Sequence, residues 1–260
     1  MVLISIVSCA PAADVERIGT IDPEIKECSG VVASRRFPDV FWVHSDGARE
    51  HLYAINRKGA ILTEFKVKGA TFHDWEDITL DANNNLYAAD TGDNNSKRPE
   101  VGVYQFPEPD PKSGKKSVHV ARQWRLRYPT GPRDCESIVV LGTNCFLISK
   151  MTRNRLPEVF TFPLQDSTEL ITLKPMAHLL IDSPVTAVAI APDGKRLAAI
   201  SKMGAFFFNF DGTFPSSGIM RPFRQVPYFH QSMEGCTFVP EGLLVTAESR
   251  EIFLFKIPAH

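Results

Sequence analysis

Asp74-Trp-Glu-Asp-Ile-Thr-Leu-Asp81 and Asp134-Cys-Glu-Ser-Ile-Val-Val-Leu141 share one shape: an acidic residue, a glutamate two positions on, then an apolar run of strand character. Three further segments follow the same outline: Glu27-Cys-Ser-Gly-Val-Val-Ala-Ser34, Pro184-Val-Thr-Ala-Val-Ala-Ile-Ala191 and Ser232-Met-Glu-Gly-Cys-Thr-Phe-Val239. Their third positions form a column of Ser29, Glu76, Glu136, Thr186 and Glu234, separated by about 47, 60, 50 and 48 residues. Repeats at or near this period build propeller blades, so the column predicts five of them.

Each motif is followed by a second β-rich run, as in Val40-Phe-Trp-Val-His-Ser-Asp46 and Phe146-Leu-Ile-Ser-Lys-Met151. A third run comes next, as in Val101-Gly-Val-Tyr-Gln-Phe106 and Ala205-Phe-Phe-Phe-Asn-Phe210. Turn chemistry such as Pro192-Asp-Gly194 joins the first run to the second, so each unit is an antiparallel meander. Fourth strands are predicted at 61–67, 118–128, 176–181 and 223–229. The fifth unit lacks one, and Val15-Glu-Arg-Ile-Gly-Thr-Ile21, which precedes the first motif, is placed as its outer strand. The expected fold is an all-β, five-bladed β-propeller of four-stranded antiparallel blades, with the N-terminal strand closing the last blade and protecting its edges. Residues 92–100, 107–116 and 211–221 are expected as loops, and the aromatic third strands, Phe206-Phe-Phe208 above all, as packing between blades.

A chain of 260 residues with 43% hydrophobic content can bury one full core, and a formal net charge of -1 gives no general attraction to nucleic acid or an anionic membrane. Residues 1–13 are expected to be a signal or lipoprotein-type segment and 14–260 a single domain. Ile6-Val-Ser-Cys9 resembles a bacterial lipobox, in which Cys9 would carry a lipid anchor; cleavage after Ala10-Pro-Ala12 and a plain first strand are the alternatives. The first two place the protein outside the cytoplasm, as a periplasmic, lipid-anchored or extracellular bacterial protein. Cys28, Cys135, Cys145 and Cys236 are even in number, which allows two disulfides, but three lie inside apolar strand patterns and are expected as free buried thiols.

In a propeller the first strands line the axis, so the column converges as three carboxylates and two hydroxyls. No Lys, Arg or His stands in it to supply a cation. An all-oxygen set favours a hard ion, Ca2+ first for its tolerance of irregular coordination and Mg2+ second. The metal ligands expected are therefore Ser29, Glu76, Glu136, Thr186 and Glu234. Alternation puts Asp74 on the axial side and turns Asp77, Cys28 and Cys135 away from it.

The order Ser, Glu, Glu, Thr, Glu resembles the axial Ca2+ ligand series of the soluble calcium-activated nucleotidases, or apyrases, which are five-bladed propellers with Ser where Thr186 stands. Asp74-Trp-Glu-Asp-Ile78 and Asp90-Thr-Gly-Asp-Asn94, with Arg98 beyond, resemble strings of uncharacterised exported bacterial propellers. The first resemblance implies a Ca2+-dependent hydrolase of phosphoanhydrides, phosphoesters or similar anions. Six-bladed lactonases of the gluconolactonase type also hold an axial metal, but no sixth blade is found.

Second strands return to the face where the motifs begin, which puts Asp46, Asp90, Lys150, Lys202 and Glu248 on the rim of the axial funnel, with Arg98, Arg153, Arg155 and Arg250 on nearby loops. Asp46, Asp90, Arg98, Lys150, Lys202 and Glu248 are the expected ligand-binding residues, for a small anionic ligand or a protein partner. His44 is a candidate general base, with a half-buried structural histidine as the alternative. No Ser-His-Asp arrangement, phosphate loop or dinucleotide fingerprint occurs in a suitable context. The leading expectation is a metal-binding, ligand-binding or scaffolding propeller that acts as a monomer; the alternative is the hydrolase.

Overall fold

The computed structural model describes residues 14–151 and 155–257. The expected signal segment with Cys9, and Arg153, lie outside the described residues.

The strands, in chain order, are β1 (Val15–Thr20), β2 (Cys28–Ala33), β3 (Phe41–Ser45), β4 (His51–Ile55), β5 (Ile61–Lys68), β6 (Trp75–Leu80), β7 (Asn85–Asp90), β8 (Val101–Pro107), β9 (Ser117–His119) and β10 (Arg122–Arg127). They continue as β11 (Cys135–Leu141), β12 (Asn144–Ser149), β13 (Glu158–Pro163), β14 (Leu170–Thr172), β15 (Lys174–Leu179), β16 (Val185–Ile190), β17 (Arg196–Ser201), β18 (Gly204–Asn209), β19 (Ile219–Met220), β20 (Arg224–Pro227), β21 (Met233–Val239), β22 (Gly242–Ala247) and β23 (Glu251–Lys256). No helix among the described residues is long and apolar enough to cross a membrane.

These strands form five sheets, one per motif, with β2, β6, β11, β16 and β21 innermost and neighbouring one another in ring order. The fifth sheet runs β21-β22-β23-β1, so the N-terminal strand pairs antiparallel with the C-terminal one and closes the ring. Closure of this kind ties the two ends of the chain into one ladder and holds the ring of blades together, leaving only the outer edge of each blade.

The outer edges depart from the expected plan. Residues 118–128 are not one strand: β9 pairs in parallel with β5 of the preceding blade, and only β10 serves its own blade. The same reach back recurs where β14 joins β10 and β19 joins β15. Parts of the stretches between third and fourth strands thus satisfy the exposed edge of the blade before, a cover that local periodicity cannot reveal because the partner is distant in sequence.

The core is five layers between blades rather than one centre. Trp42 and Phe65 of the first blade pack with Trp75 and Phe106 of the second; Trp124 of the second packs with Phe160 and Phe162 of the third. In β18, alternation sends Phe206 and Phe208 to the layer with the third blade and Phe207 to the layer with the fifth, as expected of packing residues. Each fully buried aromatic contributes about 2 to 3 kcal/mol of transfer free energy. Cys28, Cys135, Cys145 and Cys236 are free, buried thiols within or beside these layers.

Candidate metal centre

The ladder between first and second strand shifts register at the motif column in every blade: between Trp75 and Asp77, Cys135 and Ser137, Val185 and Ala187, Met233 and Gly235, and between Cys28 and Val31. A bulge takes a residue out of the ladder and re-aims its side chain. Here the residue released is Glu76, Glu136, Thr186 or Glu234, and in the first blade Ser29 together with Gly30. The repeat in the sequence is therefore a repeat of bulges.

The five column residues do not act alike. The Ser29 hydroxyl donates to the Glu76 carbonyl at 2.5 Å and the Thr186 hydroxyl to the Met233 carbonyl at 2.6 Å, so both tie one blade to the next. The carboxylates instead gather with neighbours. Donor atoms of Asp46, Asp74 and Glu76 lie within 4.8 Å of one another, and so do those of Glu76, Asp134 and Glu136. Glu76 belongs to both groups. The residue as a whole is 5% exposed, and its carboxylate has neither a hydrogen bond nor an ion pair with any described residue. Glu234 stands beside these groups, half-buried, close enough for Asp46 and Asp134 to raise its proton affinity.

Burial and mutual repulsion dominate the electrostatics. Glu76 is pushed up to about 11 by burial first and then by Glu136, Asp46, Asp74 and Asp134. Glu136 is held well above the usual carboxylate range by burial, against the pull of Lys150. Glu234 is pushed up to about 8 by burial and by Glu248. Burial also raises Asp46 and Asp74. Such a cluster must take up protons or a cation.

A cation fits it on three observations. Every donor is a hard oxygen, Asp46 Oδ1 is buried with no hydrogen-bond partner among the described residues, and Gly92 leaves the necessary room. A Cβ on Gly92 would overlap Glu76 Oε1 and stand 2.5 Å from Asp74 Oδ2. No side chain other than glycine's lets both carboxylates approach the backbone there.

The rim residues separate into committed and free groups. Lys150 Nζ lies 2.6 Å from Glu136 Oε1 and 3.6 Å from Asp134 Oδ2. The column itself lacks a cation, as expected, but the rim supplies one to it. Asp90 pairs with Trp75 in the ladder, at the level of Ser45, Ser149, Ser201 and Ala247, one step inside the rim. Its carboxylate accepts from the His73 and Asp74 amides at 2.8 and 2.7 Å and from Arg98 at 2.8 Å, and Arg98 also donates to the Gly92 carbonyl at 2.7 Å. Asp90 and Arg98 thus brace the segments that carry Asp74 and Gly92. Glu248 and Lys202 are exposed, and Lys202 forms no ion pair among the described residues.

His44 is fully buried, accepts from the Gly30 amide on Nε2 at 3.1 Å, donates from Nδ1 to the Ser45 carbonyl at 3.0 Å and stacks on Trp75. Burial pushes it down to about 3, so it is a neutral packing residue with no free nitrogen for base chemistry. Asp77 turns away from the funnel, as alternation requires, and accepts from the Ser137 hydroxyl and the Ile138 amide of the next blade. Asp134 was missed by reasoning from the column alone. The signal was present, since Asp74 and Asp134 both stand two residues before a column glutamate.

A cavity of about 940 Å3 lies at the other end of the axis, walled by Val32, Val140, Ile190 and Val239 where the first strands end. The arginines on its rim are occupied, Arg35 by the Asp81 carbonyl and Arg57 by Glu241, and none of the carboxylates of the two groups reaches it. The chemistry sits at the opposite mouth.

The fold and site define a five-bladed β-propeller with a buried acidic cluster able to hold a metal ion. No protein-family model matches the chain, and no curated protein matches it. Among solved structures, it is similar to a gluconolactonase from Xanthomonas campestris, with a TM-score of 0.54 at 9% identity over 94% of this chain and 89% of that one. A putative gluconolactonase gives 0.48 at 13% identity over 95% and 93%, and a virginiamycin B lyase from Staphylococcus aureus 0.47 at 11% over 91% and 68%. At such identity the likeness is one of fold alone.

Proposed function

We propose that this chain is an exported, metal-binding propeller, monomeric and dedicated to Ca2+ before Mg2+, whose axial funnel receives a ligand or protein partner. One observation carries the reading: Glu76, almost wholly buried and without a partner, sits where two groups of carboxylates meet. A desolvated carboxylate in that position is costly until a cation joins it. The funnel is acidic, with Lys150 and Arg98 already engaged by carboxylates, so an anionic ligand would bind only after an ion has offset part of the local negative charge and offered it a coordination position. Calorimetric titration of chelator-treated protein tests the reading. Ca2+ binding that also raises Tm supports it. A protein that neither binds Ca2+ or Mg2+ nor changes its Tm with either ion rejects it.

A second reading, Ca2+-dependent hydrolysis of a phosphoanhydride, phosphoester or similar anionic substrate, is favoured by Glu234. Burial and Glu248 push this carboxyl up to about 8 beside the cluster, which suits a group that exchanges a proton near neutral pH. The fold likeness adds lactones to the panel worth assaying. Turnover that is lost with chelator and in Glu234→Gln, while Ca2+ still binds the variant, selects this reading. Ca2+-loaded protein inert on all three substrate types selects the binding reading.

A further inference from the structure

The two carboxylate groups that share Glu76 differ in one respect. Beside Glu136 and Asp134 a cation is already in place, the Lys150 ammonium, 2.6 Å from one and 3.6 Å from the other. Beside Asp46 and Asp74 no Lys, Arg or His of the described residues forms an ion pair, and Asp46 Oδ1 is buried without a hydrogen bond. The unpartnered carboxylate of Glu76, a residue 5% exposed, lies between them.

We infer that the funnel floor is a two-cation site in which the chain supplies one cation itself. The Lys150 ammonium fills the position between Glu136 and Asp134, and a single exchangeable divalent ion fills the position framed by Asp46, Asp74 and Glu76. Glu76 faces both. The inference rests on the metal reading above and adds to it the number of ions, their position off the axis and the role of Lys150.

The backbone supports this division. The Lys150 amide is bonded to the Asp134 carbonyl at 2.9 Å, so the lysine is anchored at the start of the strand whose carboxylates it serves. In the second blade the amide bonded to the Asp74 carbonyl, at 3.2 Å, is that of Gly92, one residue beyond Thr91, the ladder counterpart of Lys150; Gly92 has no side chain to send into the cluster, and the Thr91 hydroxyl donates instead to the Cys135 carbonyl at 2.7 Å. One blade fills its cation position from its own rim; the other leaves the position open. With the ammonium and one divalent ion bound, the five carboxylates remain incompletely neutralised. A divalent ion in place of the ammonium would bring them closer to balance, and paired ions sharing ligands are a familiar arrangement in proteins.

Removing Lys150 should therefore raise the number of ions bound. Ca2+ per chain is counted by native mass spectrometry and by calorimetric stoichiometry in the wild type, Lys150→Met, Lys150→Arg and Asp46→Asn. The expected counts are one, two, one and none. Two ions in the wild type, or only one in Lys150→Met, overturns the inference while leaving the metal reading intact. No ion in the wild type overturns that reading as well. Should Lys150→Met fail to fold without Ca2+, refolding in its presence provides the sample, and a count of one there still overturns the inference. Asp46→Asn leaves the Lys150 pair untouched, so one ion retained in it refutes the proposed position.

Discussion

Arg98 Nη2 lies 2.8 Å from Asp90 Oδ2, and this pair sets the position of a cluster that neither residue joins. Asp90 holds the amide of Asp74, while Arg98 holds the carbonyl of Gly92, so the ion pair fixes both walls against which Glu76 rests. Asp90 is 3% exposed in its side chain, and without Arg98 its buried carboxylate would keep only the His73 and Asp74 amides and the exposed His73 ring as partners. Arg98→Met is expected to cost about 3 kcal/mol or more in urea unfolding and to weaken Ca2+ binding by roughly tenfold or more, as loss of an outer support does in metal sites. Unchanged affinity in a folded variant would show that the brace does not serve the site.

The raised proton affinities give a pH dependence with a definite sign. Folding lifts Glu234 from 4.5 to about 8 and Glu76 to about 11, burial being the first cause of both. The folded, ion-free protein thus holds protons that the unfolded chain releases. The stability these groups supply is full below about pH 4.5 and drains as pH rises through 8. Ca2+ replaces the protons, so the rise in Tm that Ca2+ produces should be larger at pH 8 than at pH 5. Scanning calorimetry with and without chelator measures it, and an equal or smaller rise at pH 8 would contradict the assignment.

The spacing of the motifs made the blade number, the axial glutamates and the closing strand legible, because each depends on a pattern repeated along the chain. Contacts between distant segments were hidden. Nothing near Ser29 or Thr186 announces that their hydroxyls bond to the next blade, and the bulge that releases each column residue is a property of pairing, not of composition. The hydrophobic run of the second strand points Asp90 to the rim, whereas the ladder sets it one step inward, under Arg98. The paired motif of Asp74 with Glu76 and Asp134 with Glu136 was the readable trace of the metal groups.

His44 predicts an acid limb of opposite sign. Burial lowers it from 6.5 to about 3, so between those values the unfolded chain takes up a proton that the folded protein refuses. Stability from this residue is present above pH 6.5 and lost as pH falls, at up to about 1.4 kcal/mol per pH unit. His44→Gln keeps an acceptor for the Gly30 amide but cannot titrate. From pH 7 to pH 5 its urea midpoint should shift upward relative to the wild type's, and it should be the less stable protein at pH 7 through the lost stack on Trp75. Parallel pH profiles would mean that His44 protonates without opening the fold.

Two kinds of glycine at the axis should respond differently to one added methyl group. At Gly92 the new Cβ meets the ends of the Glu76 and Asp74 side chains, which can swing aside. At Gly30 it comes within 2.8 Å of the Asp77 backbone, and at Gly235 within 2.5 Å of the Ser29 carbonyl, where relief requires the blades to part. Gly92→Ala is therefore expected to fold with a chelated Tm close to the wild type's and to lose the Ca2+-induced rise, because the displaced carboxylates no longer frame an ion. Gly30→Ala and Gly235→Ala should each lose about 1 to 3 kcal/mol by overpacking. Thermal scans of the three variants in chelator and in Ca2+ separate the cases: if Gly92→Ala keeps its full response to Ca2+, the ion does not lie against that backbone.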